Sequence, residues 1–228
     1  MIDIVIDTET TGLDSERCQV ISIGWAFRNP DENEHNPELA SRISSGNILI
    51  RPDMERLNEQ NSHELDEALN ITGFTIDGIS SHEVKYHRAI EELKMQLRKS
   101  LRLAGFASSD FGGYHLQNIR ILAYNRNFDF DFLNSLPYSN AIISKMPQLC
   151  PCQSKPACIM LRASERWGEW NDYHGNYRWL KLVTAFSCLD LNDSDKSQTE
   201  GFLKFLSAHD SQWDSIMALL VHEHLEAI

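Results

Sequence analysis

The sequence predicts an α/β chain, a sheet of mixed strand pairing covered by helices, on three observations. Its first apolar run, Met1-Ile2-Asp3-Ile4-Val5-Ile6, has strand character and starts at once. Two further strand-like runs follow at short spacing, and later segments carry apolar residues at helical spacing. At 228 residues and 42% hydrophobic, the chain can bury one substantial core, so residues 1–228 are expected to form a single domain.

Composition narrows the setting. No run of eighteen apolar residues occurs and no basic-then-apolar leader stands at Met1, so a soluble, cytoplasmic protein without a membrane partner is expected. The cysteines, at 18, 150, 152, 158 and 188, are odd in number and irregular in spacing, which suits reduced thiols. A net charge of -12 argues against an extended basic surface that grips many phosphates. It leaves room for chemistry on a phosphodiester at a confined site, where divalent ions supply the positive charge.

The first strand runs into Asp7-Thr8-Glu9-Thr10-Thr11-Gly12-Leu13. Side chains alternate along an extended chain, so Asp7 and Glu9 leave the strand end on one side. Paired carboxylates repel unless a cation lies between them, and their oxygens are the hard ligands that Mg²⁺ and Mn²⁺ take. Alone, the pair reads more readily as a solvated acidic turn, because acidic turn residues are common.

Gln19 to Phe27 reads as a second strand, with Ile21, Ile23, Trp25 and Phe27 on one face and Val20, Ser22, Gly24 and Ala26 on the other. Residues 28–45 are a polar excursion, and a third strand covers Asn47 to Arg51, stopped by Pro52. Short links make these three an antiparallel start to the sheet. Residues 53–70 are polar and partly helical. From His82 to Leu103, the apolar residues Tyr86, Ile90, Leu93, Leu97 and Leu101 predict an amphipathic helix, with Lys94, Arg98, Lys99 and Arg102 on its solvated face.

Gly105 to Asn118 is a loop and Ile119 to Ala123 a buried strand. The chain then opens into a helix at Asn125-Arg126-Asn127-Phe128-Asp129, which presents a third carboxylate from a strand-to-helix junction. Between Pro137 and Asp195 lie Cys150, Cys152 and Cys158, whose spacing is poor for a zinc site, and the aromatics Trp167, Trp170, Tyr173, Tyr177 and Trp179. Such aromatics could stack bases, although packing a loop-rich subregion is their commoner use. Near the end, His209 and Asp214 would sit about 140° apart on one continuous helix, so a shared site needs His209 outside it. Asp210, a preferred N-cap, would start the helix at Ser211 and place Asp214 in its first turn.

Three ordered motifs emerge: Asp7-Thr-Glu9-Thr-Thr-Gly-Leu13, Asn125-x-x-Phe128-Asp129-x-x-Phe132-Leu133 and Ala208-His209-x4-Asp214. Together they resemble the proofreading-type 3′-to-5′ exonucleases of the DEDDh group, and Ile71-Thr72-Gly73-Phe74-Thr75 is similar to a further short element of that family. The resemblance implies a ribonuclease H-like fold with a mixed five-stranded sheet flanked by helices. It also implies two divalent cations, Mg²⁺ or Mn²⁺, on Asp7, Glu9, Asp129 and Asp214, with His209 as general base. The implied substrate is single-stranded DNA or RNA with a free 3′ end. Its terminal nucleotide would rest on Thr8 and Thr10, be wedged by Leu13, and sit in a pocket lined by Asn125, Phe128 and Phe132; both phenylalanines read equally well as core. Tyr124, Asp131 and Trp213 depart from the family pattern. The alternatives are an endonuclease of the same fold and a catalytically silent nucleic-acid-binding module, against which the full acidic set speaks.

Overall fold

A computed structural model of the chain describes residues 2–30, 42–107, 119–137, 158–191 and 210–227. Its centre is a five-stranded sheet in the order β4-β3-β2-β1-β5. The strands are β1 (Ile2–Thr10), β2 (Val20–Arg28), β3 (Ile43–Arg51), β4 (Val84–Lys85) and β5 (Ile119–Leu122). β1, β2 and β3 pair antiparallel in succession, while β5 joins β1 and β4 joins β3 in parallel. The expected mixed sheet flanked by helices is therefore present.

Alternation along β1 organises everything around it. Even positions, Ile2, Ile4 and Ile6, enter a core shared with Ile23, Trp25 and Phe27 of β2 and with the helices α4 (Ala89–Leu103) and α5 (Arg126–Ser135). Odd positions face the other way, where Val5 packs with Ala26, Leu122 and the helices α6 (Ile159–Trp167), α7 (Leu182–Ser187) and α8 (Ser211–Glu226). Asp3 shares the odd face, where it accepts from His222 of α8 at 3.0 Å and pairs with Arg120, its neighbour across the parallel ladder. These partners hold the Asp3 carboxyl well below its ordinary range against the burial that would raise it. No helix among the described residues is long and apolar enough to cross a membrane.

Two boundaries differ from expectation. β3 begins at Ile43 rather than Asn47, because its ladder with β2 runs on to Arg28↔Ile43 through the polar Ser44, Ser45 and Gly46. Glycine is needed at 46 because the Trp25 indole lies over it, 2.6 Å from where a Cβ would stand. The long helix starts at Ala89, not His82: Val84 and Lys85 are taken as the edge strand and Tyr86–Arg88 form a 3-10 turn. Tyr86 still joins the stripe of Ile90, Leu93, Leu97 and Leu101 in the core.

The smaller helices α1 (Met54–Glu59), α2 (Ser62–Thr72) and α3 (Ile76–Ser80) pack Leu57, Leu65, Leu69 and Ile79 around Ile21. Asp53 and Asn61 cap α1 and α2, and Gly73, at φ 75°, ends α2 in the left-handed conformation. A Thr11 hydroxyl donating to Gln60 (2.8 Å), returned by the Gln60 amide to the Thr11 carbonyl, ties this unit to the turn after β1.

The start of α8 sits directly on the sheet. A Cβ at Gly24 would lie 2.0 Å from the Ser211 carbonyl oxygen, and the Ser22 and Ser211 hydroxyls meet at 2.6 Å. Gly24→Ala must push the helix away, so we expect a loss of about 1–3 kcal/mol in denaturant unfolding.

Candidate active site

The odd face of β1 carries Asp7 and Glu9 to the strand's end, as alternation requires, and there they meet the first turn of α8. Asp210 caps that helix, accepting from Gln212 N (3.0 Å) and Trp213 N (3.1 Å), and the helix starts at Ser211 as expected. Trp213 is buried in the core beneath, and Gln212 donates to Ser45 of β3 at 3.0 Å. Asp214 is thereby fixed over the strand end. Oxygens of Asp7, Glu9 and Asp214 lie within 4.8 Å of one another.

Asp129 arrives from the other face. It stands in the first turn of α5 and accepts through one oxygen from Thr8 N (3.0 Å) and Thr8 Oγ1 (2.8 Å). Thr8, the even position between the two β1 carboxylates, thus reaches across to the third. Asp129 lines the same cavity but does not belong to the tight group of three.

The four carboxylates change one another's acidity. Burial, then Asp214, Asp129 and Asp210, push Glu9 up to about 9. Asp214 rises to about 7 through burial and the charge of Asp210, and Asp129 to about 7 through burial, despite its bonds from Thr8. Asp7 rises well above its ordinary value through burial and the charges of Asp129, Asp214, Glu9 and Asp210. Asp210 is thus a fifth negative charge at the site, which its reading as a cap alone did not reveal. All-oxygen donors that raise one another in this way fit hard divalent cations, whose charge would restore the ionised forms.

A stability consequence follows with a definite sign. Carboxyls raised above their unfolded value of about 4 hold protons in the native state that the unfolded chain releases. Their stabilisation is complete at acid pH and is lost as pH climbs through about 7 and then about 9. In EDTA the melting temperature should fall between pH 6 and 8.5 by about 5 °C or more. Mn²⁺ should remove most of that fall.

These groups floor a cavity of about 430 Å³. Thr8, Thr10, Leu13, Asn125 and Phe128, the residues to which the resemblance gives the terminal nucleotide, are among those that line it. Leu13 stands 82% exposed at the mouth, where it can wedge a base. The hydroxyl protons of both threonines are already committed, Thr8's to Asp129 and Thr10's to the Gly12 carbonyl at 2.7 Å. Phe132 does not line the cavity: at 1% exposure it is core, behind Phe128, with ring centroids 4.9 Å apart. One helical turn beyond Phe128, it points down into the sheet. His209, Cys150 and Cys152 lie outside the described residues. Cys158 is buried, with its Sγ 3.5 Å from the Tyr124 carbonyl.

Sequence reasoning missed the opposite wall, which α2 supplies through Glu64, Glu67, Ala68 and Ile71, with Leu182 of α7 and Tyr124 closing a side. The i, i+3, i+4, i+7 spacing on α2 was a usable signal, but two glutamates in the row hide it from an apolar-stripe search.

No family model and no curated protein matches this chain. Solved structures do. A moderately thermophilic exonuclease I from Methylocaldum szegediense is 15% identical with a TM-score of 0.54, over 96% of this chain and 39% of that one. E. coli exonuclease I in complex with a dT13 oligonucleotide is 14% identical with a TM-score of 0.55, over 99% of this chain and 41% of that one. This chain shares their fold. The zinc-bound form of the E. coli exonuclease I complex with single-stranded DNA is similar at 14% identity and a TM-score of 0.52, over 99% and 40% of the two chains. The chain spans about two fifths of the length of these proteins.

Proposed function

We propose that this chain is a DEDDh-type exonuclease that hydrolyses phosphodiester bonds from the 3′ end of single-stranded DNA or RNA, with residues 1–228 as one catalytic domain. The observation that carries the reading is the convergence of Asp7, Glu9 and Asp214 within 4.8 Å at the floor of a nucleotide-sized cavity, with Asp129 beside them. The likeness in fold to exonuclease I structures, some solved with oligonucleotides or zinc, supports it.

In this reading Asp7, Glu9, Asp129 and Asp214 hold two divalent cations, Mg²⁺ or Mn²⁺. Bound there, the cations polarise the phosphate, activate water and stabilise the leaving 3′ oxygen. The chain's own groups do the rest. Leu13 separates the terminal base from its neighbour, and Phe128 and Asn125 border the space that the terminal nucleoside fills. Thr8 keeps Asp129 in place and Thr10 holds the Gly12 turn closed. His209 takes the proton of the attacking water as the bond between phosphorus and the 3′ oxygen breaks; the products are a nucleoside 5′-monophosphate and a strand one nucleotide shorter.

The test is a 5′-labelled single strand incubated with the protein in Mg²⁺ or Mn²⁺. A ladder that shortens from the 3′ end is expected, with circular single strands left intact. Cleavage of the circle at a comparable rate would transfer the site to an endonuclease.

A further inference from the structure

We propose that the hairpin Trp170–Tyr177, with Trp179 beyond it, is a stacking platform that binds the nucleobases lying 5′ to the terminal nucleotide of a single strand. The proposal rests on the nuclease reading for its ligand, and on separate observations for its location.

Trp167 packs against the core of this side of the sheet, but three other aromatics of the segment do not pack a subregion as their commoner use would suggest. Trp170, Tyr173 and Trp179 are 53%, 90% and 71% exposed. Yet the backbone beneath them is fixed. β6 (Trp170–Asn171) and β7 (Asn176–Tyr177) pair with Trp170 opposite Tyr177, and their rings meet edge to face at 5.1 Å. Gly175, at φ 62°, closes the turn, and the Asn171 side chain accepts from Tyr173 N and His174 N. Arg178 N donates to the Glu169 carbonyl at 2.8 Å, which carries the ladder one residue further. Alternation therefore puts Trp170, Tyr177 and Trp179 on one face of the ribbon.

That face continues into the cavity wall. Next to Trp179, Leu180 is held on both sides: its N–H donates to Ser164 Oγ (3.0 Å) and its carbonyl accepts from the hydroxyl of Tyr124 (2.7 Å), a cavity residue. Leu182, three residues beyond Trp179, lines the cavity itself. Three residues span at most about 10 Å, within reach of the nucleotides that follow the terminal one. Exposed indoles on a fixed backbone, a few residues along the chain from the wall of the proposed terminal-nucleotide pocket, match the chemistry of an unpaired strand, whose bases each offer a face for stacking.

The experiment measures binding without turnover. A 5′-fluorescein-labelled oligothymidylate of about twelve nucleotides, and the same strand with abasic sites at the three positions behind its terminal nucleotide, are titrated in EDTA with parent protein and Trp170→Ala/Trp179→Ala. The variant should bind the intact strand about 10- to 100-fold more weakly than the parent, and the parent should bind the abasic strand about as weakly as the variant binds the intact one. The variant's affinity should hardly depend on the bases. Its melting temperature and its hydrolysis of the p-nitrophenyl ester of thymidine 5′-monophosphate should match the parent's. Equal affinities of parent and variant, or a loss that persists on the abasic strand, would overturn the platform and leave the face to a protein partner. Ester hydrolysis by the parent judges the nuclease reading separately, because the binding arm needs no catalysis.

Discussion

Asp7→Ala is expected to lower the proposed hydrolysis at a 3′ end by about 10³-fold or more, and in EDTA the variant is expected to melt above the parent protein. Both effects follow from position. Asp7 belongs to the tight group with Glu9 and Asp214 and feels their charges along with those of Asp129 and Asp210, so in the proposed site it would be a principal cation ligand. Its removal takes away that ligand and one of the mutually repelling charges. Above pH 7 the repulsion is greatest, so the gain in metal-free stability should be larger at pH 8 than at pH 6. Asp7→Asn, which keeps the shape of the side chain, should behave alike and separates the charge effect from any cavity effect. Turnover near that of the parent protein in either variant would remove Asp7, and with it the proposed site.

His209→Ala is expected to lose about 10²- to 10⁴-fold in turnover, the range for a general base, while Mn²⁺ still raises the melting temperature as in the parent. Asp210 is the N-cap, and the helix it starts fixes Asp214 in the first turn on the cavity floor. His209 directly precedes that cap in the sequence, and its proposed role is to reach the attacking water once substrate is bound. In the proposed role the imidazole acts in its neutral form, so the parent's rate should rise with pH. That rise should be absent from the variant. Wild-type turnover with an unaltered pH profile would reduce His209 to a surface residue.

Much of the site was legible because it is local. The period-2 rule along β1 is enough to pair Asp7 with Glu9, and the preference of aspartate for an N-cap is enough to start α8 and place Asp214. What escaped depends on tertiary contacts. β4 is two residues long and exists because β3 offers an edge, so no periodicity announces it. Ser44, Ser45 and Gly46 look like loop residues, yet they are strand because β2 and its Trp25 require them there. Phe128 and Phe132 are equivalent in sequence, and only the sheet beneath decides that one borders the cavity and the other fills the core. The α2 wall has the same origin, since Leu65 and Leu69 bury one side of the helix and turn Glu64, Glu67 and Ile71 toward the cavity.

The most direct measurement is anomalous diffraction at the manganese edge from crystals grown with Mn²⁺ and a nucleoside 5′-monophosphate. Two peaks are expected among Asp7, Glu9, Asp129 and Asp214, with the nucleotide's phosphate on them and its base beside Leu13 and Phe128. A map without manganese between these carboxylates, at concentrations that saturate Mg²⁺-dependent nucleases, would contradict the assignment.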